Sequence, residues 1–346
     1  MTAYARKIKL GSGSEYAYLY GRVCGMHGKL FSPREIESFI QATSVSEILA
    51  SLSNTDYAPE LEDLSTKPTP RELENALTKH FNRVYENILS VAPSEDQSAL
   101  HTIFLGEYDI NNIKTVVRGI HFSLRDEAAN LLQPFGMIGF ERMRESSKSQ
   151  DFDALLPKIP EPYHNITAQA FGVYAKNHSL PLLDASLDKG WVAHMLWSVR
   201  GDMLYYVKLK ADSMNIINLL RCKLHEVPAA DYVLPGGMFL DDHLDALILC
   251  DLNAVQSMLD KTPYGRHINK HIPNIVRADS LIALEQSLKD FIQTKLDEKS
   301  MMAPLSASPL LSFLNRKMRE VNNLKVIIVA KQNGFQPDEI KQLVGR

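Results

Sequence analysis

Two histidines one helical turn apart, His267 and His271, are the first residues whose type and spacing could do chemistry. Histidines at positions i and i+4 lie on one face of a helix and could bind a metal ion together. A zinc protease also needs Glu directly after the first histidine, where this chain has Ile268. We therefore interpret the two histidines as a surface or capping pair.

A run of acidic residues beside a double-glycine turn is the second candidate for metal chemistry. It comprises Asp241, Asp242, His243 and Asp245, and it follows Gly236-Gly237. These groups could hold a cation, but acidic residues are also typical of a helix start, where they face the positive end of the helix dipole. We favour a solvated helix start. The alternative, a metal-dependent hydrolase that uses this run and the two histidines, predicts bound metal in the purified protein.

Two stretches with glycine could be taken for phosphate loops, and neither has the required context. Gly11-Ser12-Gly13-Ser14 follows no predicted strand and lacks the third glycine of a dinucleotide loop. Gly28-Lys29 resembles the end of a phosphate loop, but Val23 and Leu30 stand where that motif has Gly and Ser or Thr. The chain has no Cys-x-x-Cys pair and no nucleophile elbow. The sequence therefore predicts no catalytic residues, no cofactor and no metal.

The composition and charge of the chain argue against a nucleic-acid partner. The 346 residues carry a formal net charge of -3, which lacks the basic footprint that nucleic-acid binding usually needs. Three widely spaced cysteines, Cys24, Cys222 and Cys250, indicate a reducing compartment rather than a disulfide framework. No segment has the length of a transmembrane helix or of a signal-peptide core. We expect a cytoplasmic protein that could still dock on the exposed part of a membrane protein.

The elements that must position these residues are helices almost throughout, so the predicted fold class is all-α. Apolar residues recur every three or four positions, and strand-like alternation is scarce. Ser32-Pro33-Arg34-Glu35 and Thr69-Pro70-Arg71-Glu72 both predict a helix start with a capping box. Pro93-Ser94-Glu95 predicts a third start, and Gln336-Pro337-Asp338-Glu339 predicts a restart after a stop at Asn333-Gly334.

One signature occurs three times: an acid, Asn three residues later, and apolar residues one, four and five positions after the Asn. The copies begin at Asp109, Asp212 and Glu320, and their Asn residues, Asn112, Asn215 and Asn323, are 103 and 108 positions apart. The apolar positions fall on one helix face, which must be buried. We expect the acid at a helix start and the Asn bonded to a carbonyl of a neighbouring helix or loop.

A structural role and a partner-binding role are both open for this signature. As a buried polar anchor it would fix the register of its helix, and this is the interpretation we favour over direct contact with a partner. Arg118 and Arg221 lie six residues beyond the Asn, off the apolar face, but Val329 replaces Arg in the third copy. An arginine at this position therefore has no role common to all three copies.

Two further signatures keep nearly the same period. The leucine motifs are Leu52-x-x-Thr55-Asp56-Tyr57, Leu156-x-Lys158-Ile159-Pro160 and Leu259-x-Lys261-Thr262-Pro263-Tyr264, and their leucines are 104 and 103 positions apart. The turns Pro134-Phe135-Gly136-Met137 and Pro235-Gly236-Gly237-Met238 each follow an acid-x-x-Asn helix by about 20 residues. Such self-similarity indicates a chain built from copies of one unit. We predict three similar helical domains, residues 1–125, 126–228 and 229–346, with turns available to partners at Phe135, Met137, Gly237 and Met238.

The chain resembles the C subunit of the archaeal and bacterial A/V-type ATP synthases, which is similar to the d subunit of the eukaryotic vacuolar ATPase. Besides the repeated helices and turns, the resemblance rests on Tyr16-Ala17-Tyr18-x-x-Gly21-Arg22-Val23, on Asn323-Leu324-Lys325, and on Gly334-Phe335-x-Pro337-x-Glu339-Ile340. The chain departs from the family pattern at Cys24, where the family tends to carry Arg, and at Val329, where the other two copies have Arg, so we assign no arginine role at these two positions.

This resemblance implies a funnel-shaped protein with approximate threefold internal symmetry and no catalytic activity of its own. It would be a central-stalk subunit that transmits torque between the proteolipid rotor ring in the membrane and the stalk subunits of the soluble sector. It would lie on the cytoplasmic side of the membrane as a peripheral part of the complex. The alternative is a helical repeat scaffold unrelated to rotary motors, although solenoid repeats are shorter, about 20–50 residues.

Overall fold

The computed structural model describes residues 13–62, 64–65, 67–278 and 280–344, and for 13–14 and 272–278 it describes the backbone alone. Every regular element in these ranges is helical, which confirms the all-α prediction for this part of the chain. Its α-helices are α1 (Gly13–His27), α2 (Pro33–Gln41), α3 (Val45–Leu52), α4 (Ala58–Leu61), α5 (Pro70–Leu89), α6 (Ser94–Leu100), α7 (Gly106–His121), α8 (Arg125–Leu131), α9 (Phe140–Ser147), α10 (Phe152–Leu155), α11 (Tyr163–Asn177), α12 (Leu180–Ser198), α13 (Gly201–Leu224), α14 (Leu244–Leu249), α15 (Leu252–Asp260), α16 (Gly265–Ala278), α17 (Ile282–Met302), α18 (Ser308–Gln332) and α19 (Pro337–Leu343).

Shorter helical turns join some of these helices. Leu156–Lys158, Ala229–Asp231 and Asp241–His243 are 3-10 turns, and the π-helical turn His101–Leu105 connects α6 directly to α7.

The helix starts follow the capping chemistry of the sequence. Ser32 with Glu35, and Thr69 with Glu72, form complete capping boxes at the starts of α2 and α5, as predicted. Gln336 and Glu339 form a third box at α19, and α6 begins at the predicted Ser94. Each box satisfies backbone N–H groups that have no partner within the helix, so local sequence decides where these helices begin.

The repeated signature lies on three helices, α7, α13 and α18, and its apolar face is buried in each. The described core includes Ile113, Val116, Val117, Ile216, Leu219, Leu220, Leu324, Ile327 and Ile328. Burial of one such side chain stabilises the fold by about 1.5–3 kcal/mol. This confirms that the periodic apolar residues of the signature form the inner face of each helix.

Two other long helices, α12 and α17, connect these three helices. α12 packs against α7 and α13, α17 packs against α13 and α18, and α18 also packs against α5 near the start of the chain. The C-terminal part of the fold is thus built onto its N-terminal part. Among the described residues, no helix combines the length and the apolar character that crossing a bilayer requires.

Candidate functional site

The first copy of the signature binds the turn that follows it. The Asp109 carboxylate accepts hydrogen bonds from the backbone N–H groups of Met137 (2.8 Å) and Ile138 (3.2 Å). The Tyr163 hydroxyl donates to Met137 Sδ (3.8 Å) and lies beside the same carboxylate, with which it interacts electrostatically. Burial raises the pKa of Asp109 to about 6, and the two backbone hydrogen bonds oppose the rise. We call Asp109, its two backbone donors and Tyr163 the first anchor.

The second copy makes the same kind of contact with its own turn. Asp212 accepts hydrogen bonds from the backbone N–H groups of Met238 (3.0 Å), Phe239 (2.8 Å) and Leu240 (3.3 Å), and from the Tyr264 hydroxyl at 3.0 Å. Burial raises the pKa of this carboxyl group, and its donors lower it. Asp212 and these four donors form the second anchor.

The third copy reaches back to the start of the chain. Glu320 accepts hydrogen bonds from the Phe31 backbone N–H (2.6 Å), the Tyr57 hydroxyl (2.7 Å) and the Lys317 ammonium (2.6 Å). Lys317 also lies 4.4 Å from the centre of the Tyr57 ring, a cation–π contact. Burial lowers the pKa of Lys317, and Glu320 opposes this effect. Glu320 and its three donors form the third anchor, which joins α18 to the segment after α1.

The three anchors share one spacing that the sequence signatures did not include. In each anchor a buried tyrosine stands 26 residues after a backbone donor; the pairs are Phe31 and Tyr57, Met137 and Tyr163, and Met238 and Tyr264. Tyr57 and Tyr264 belonged to the leucine motifs, but Tyr163 did not, because the second copy differs between its Leu and its Tyr. A tyrosine that recurs 26 residues after Phe31, Met137 and Met238 is the signal from which these side chains could have been found in the sequence.

The Asn of the signature forms a two-point clamp in the first two copies. Asn112 accepts from the Gln133 N–H (2.9 Å) and donates to the Gln133 carbonyl (3.1 Å). Asn215 does the same with Leu234, at 2.7 Å and 3.0 Å. Asn323, the third Asn, is half-buried on the wall of a cavity that Glu320 also lines. Each clamp holds the chain just before the turn that the neighbouring acid binds.

The expectation that the acid marks a helix start is wrong for two copies. Asp109 lies in the first turn of α7, but Asp212 and Glu320 lie in the middle of α13 and α18. Their backbone donors come from turns of other segments rather than from the start of their own helix. The carboxylate is therefore held by tertiary hydrogen bonds, which the helix dipole does not explain.

The turn residues proposed for partner contact divide into two groups. Phe135 is 8% exposed and packs against Tyr108 (ring centres 4.9 Å apart) and Phe81 (5.9 Å), so its side chain belongs to the core. Gly237 is buried as well. Met137 and Met238 are 50% and 41% exposed. Only the two methionines of this set present a side chain at the surface.

The glycines of these turns give the carboxylates room. A Cβ on Gly136 would lie 2.3 Å from Asp109 Oδ1, and a Cβ on Gly237 would lie 2.2 Å from Asp212 Oδ1. Gly136 also has φ +147°, a conformation that side chains rarely adopt. Glycine lets both turns approach a buried carboxylate closely enough to donate to it.

The signature arginines do not line a common site. Arg118 pairs with Asp184 of α12, whereas Arg221 is exposed. Val329 is half-buried.

The residues first considered for metal chemistry are not assembled into a site. Within the described ranges, no group of three or more His, Cys, Asp or Glu residues is arranged to hold a metal ion. His267 Nδ1 lies 2.8 Å from Ser287 Oγ, and burial lowers the pKa of both His267 and His271. Asp241, Asp242, His243 and Asp245 are exposed around the start of α14.

The structure describes the second glycine stretch and only part of the first. Gly11 and Ser12 lie outside the described residues. Lys29, beside Gly28, pairs with Asp56 at 2.9 Å.

The protein is all-helical in its described part, and the buried acid of each signature helix binds backbone N–H groups of another segment. The model of the ATP synthase (C/AC39) subunit family matches residues 19–343. The chain belongs to this family.

Several relatives named as C subunits of A-type ATP synthases match nearly the whole chain. The C subunit of the A-type ATP synthase of Thermococcus onnurineus is 27% identical over 95% of this chain and 90% of its own length. The corresponding C subunits of Methanocaldococcus jannaschii and Pyrococcus horikoshii are each 25% identical over 95% of this chain, and over 86% and 90% of their own lengths.

Proposed function

We propose that this chain is a non-catalytic rotor subunit of an A/V-type ATP synthase or ATPase. It would couple the proteolipid ring of the membrane sector to the central-stalk subunits of the soluble sector, on the cytoplasmic side of the membrane. The family match over residues 19–343 is the observation that carries this proposal. Torque would pass through the chain in either direction, toward ATP synthesis or from ATP hydrolysis.

The three anchors support a mechanical role. Each connects two of the proposed domains, 1–125, 126–228 and 229–346: the first anchor joins Asp109 to Tyr163, the second joins Asp212 to Tyr264, and the third joins Glu320 to Tyr57. A body that transmits torque must resist relative motion of its parts, and close-packed helices joined by buried hydrogen bonds resist it. We propose that the three domains form a funnel with approximate threefold symmetry.

A pull-down from detergent-solubilised membranes of the source cells tests the rotor role. The tagged chain should recover the proteolipid ring and central-stalk subunits in fixed ratio. The tag alone, carried through the same purification, is the control for non-specific recovery. Consistent absence of both groups of subunits from the full-length sample would overturn the proposal.

A functional assay separates coupling from simple attachment. A complex reconstituted without this chain should hydrolyse ATP at its catalytic head without pumping ions, and adding the chain back should restore pumping. If ion pumping proceeds equally without the chain, the chain does not couple the two sectors.

The turns that carry Met137 and Met238 are the proposed partner contacts. Met137→Glu and Met238→Glu should weaken binding to the ring or to the stalk, because each replaces an exposed apolar side chain with a charged one. Met301→Glu, at a 76% exposed methionine near the end of α17, is the matched control. Wild-type binding by both turn variants would remove the turns from the interface.

The alternative of a helical repeat scaffold unrelated to rotary motors does not agree with family membership. The relatives matched along the chain are named as ATP synthase subunits. The alternative predicts a pull-down that contains other proteins and lacks the ring, so the same experiment decides between the two roles.

A further inference from the structure

The three signature helices border a cavity of about 670 Å³ that is separate from the three anchors. Equivalent positions of α7, α13 and α18 face it at two levels. The residues two positions after each acid are Asn111, Met214 and Asn322, and those five positions after it are Lys114, Ile217 and Lys325. Two helices thus contribute an Asn and a Lys, and α13 contributes two apolar side chains.

The cavity is more basic than the rest of the molecule. Six basic side chains line it, Lys114, Lys210, Arg221, Lys289, Arg319 and Lys325, against three acidic ones, Glu107, Asp188 and Glu285. The whole chain carries a net charge of -3. A cleft with an excess of one sign of charge attracts ions of the opposite sign. The cavity therefore favours an anionic ligand.

Lys325 is the partly buried cation most available to such a ligand, and Arg221 on the same lining is exposed. Lys114 is paired with Asp188 at 2.6 Å and Lys210 with Glu107 at 2.5 Å. Within the part of the chain that the structure describes, Lys325 has no ion pair. Burial lowers its pKa to about 8, with Glu74 and Arg71 of α5 acting in opposite directions. A partly buried ammonium without an ion pair gains from an anion placed beside it.

Apolar side chains of the lining suit the rest of an organic ligand. Met214, Ile217 and Trp191 line the cavity together with the two Asn–Lys pairs. The volume falls within the range of small-molecule sites, about 300–1,000 Å³. A ligand with an anionic group and a less polar body would contact both kinds of lining residue.

We propose that this cavity binds a phosphate-bearing anion, with Lys325 as the principal cation. Lys114 and the exposed amides of Asn111 and Asn322 supply further contacts to phosphoryl oxygens. The phosphoryl group could belong to inorganic polyphosphate or to a nucleotide, and both offer the same chemistry to the lysines. This site goes beyond the proposed rotor role, and each can fail without the other.

Tryptophan fluorescence provides a direct binding assay. Trp197→Phe leaves Trp191, in the cavity wall, as the single tryptophan of the chain. Titration with inorganic triphosphate and with ATP, both without divalent cations, should give a saturable change in emission, and sulfate should give none. Tighter binding of ATP assigns the site to nucleotides, and equal affinities assign it to inorganic phosphoryl anions. No saturable response to either probe overturns the proposal.

Charge variants locate the binding site. Lys325→Gln should weaken binding at least tenfold, whereas Lys176→Gln, at an exposed lysine of α11, should leave it unchanged. Asn322→Asp is an independent variant at an exposed position, so it should fold normally and still weaken binding by repelling the anion. Wild-type affinity in both cavity variants would show that the phosphate binds elsewhere and would overturn the assignment.

Discussion

The Tyr57 hydroxyl donates a 2.7 Å hydrogen bond to the carboxylate of Glu320, although 263 residues separate the two in the sequence. Both side chains are buried, so the bond takes the place of most of the water that would surround an exposed carboxylate. It connects the first part of the chain to its last long helix. The same donor type serves Asp212 in the second anchor.

Tyr57→Phe should destabilise the protein by about 1.5–3 kcal/mol, because it removes a hydrogen bond to a buried charged acceptor and leaves the ring in place. Urea denaturation at pH 7.5 measures the change in the free energy of unfolding. Tyr18→Phe, at a 59% exposed tyrosine, is the control and should change it by less than about 0.5 kcal/mol. Equal effects of the two variants would mean that the third anchor does not stabilise the fold.

Gly237→Ala should cost at least about 2 kcal/mol, since its Cβ would displace the Asp212 carboxylate from its backbone donors. Gly172→Ala provides the contrast: this glycine lies within α11 and a Cβ there meets nothing within 4 Å. That substitution should stabilise the protein by up to about 1 kcal/mol through helix propensity. Thermal denaturation of both variants checks the opposite signs, and a neutral Gly237→Ala would contradict the close approach.

Asn215→Ala should destabilise the protein by about 2–4 kcal/mol. The substitution removes both bonds of the clamp and leaves the N–H and the carbonyl of Leu234 buried without partners. Asn253→Ala, at an exposed asparagine of α15, should have an effect below about 0.5 kcal/mol. Chemical denaturation of the two variants measures the difference, and a small effect at Asn215 would show that the clamp is dispensable.

Asp109 should make stability depend on pH between about pH 4 and pH 7. Its pKa is about 6 in the folded protein against an ordinary value of 3.8, so the folded state binds the proton more tightly. The contribution of this group to the free energy of unfolding is therefore complete below the unfolded pKa and is lost as the pH rises through 6. The shift corresponds to about 3 kcal/mol.

Asp109→Asn isolates this contribution, because Asn does not titrate. The stability of the wild type relative to the variant should fall by up to about 3 kcal/mol as the pH is raised from 4 to 7. Urea denaturation of both proteins at several pH values measures it. A difference that stays constant across this range would show that burial does not raise the pKa of Asp109.

The local elements of this fold could be predicted from the sequence. The capping boxes at Ser32 and Thr69 begin helices where the pattern places them, because a cap depends on residues only three positions apart. The apolar faces of the three signature helices could be predicted for a similar reason, since helical periodicity decides which side chains share a face.

The partners of the signature residues could not be predicted in the same way. The acids were assigned to helix starts, but Asp212 and Glu320 lie within their helices and bind turns of other segments. Phe135 was assigned to an exposed turn, but its ring packs in the core beside Tyr108. Turn residues are usually at the surface, and sequence alone does not show which of them the chain folds inward.

By itself, the sequence determined an all-helical chain with three related signatures and their buried apolar faces, because propensity, capping and periodicity act over a few residues. Only the tertiary structure decided that Glu320 binds Phe31 and Tyr57 and so joins the last signature helix to the beginning of the chain. The physical reason is that a hydrogen bond depends on distance in space. The spacing of the copies along the chain does not reveal which segment each acid binds. It would be the same if Glu320 bound a segment of its own copy rather than the beginning of the chain.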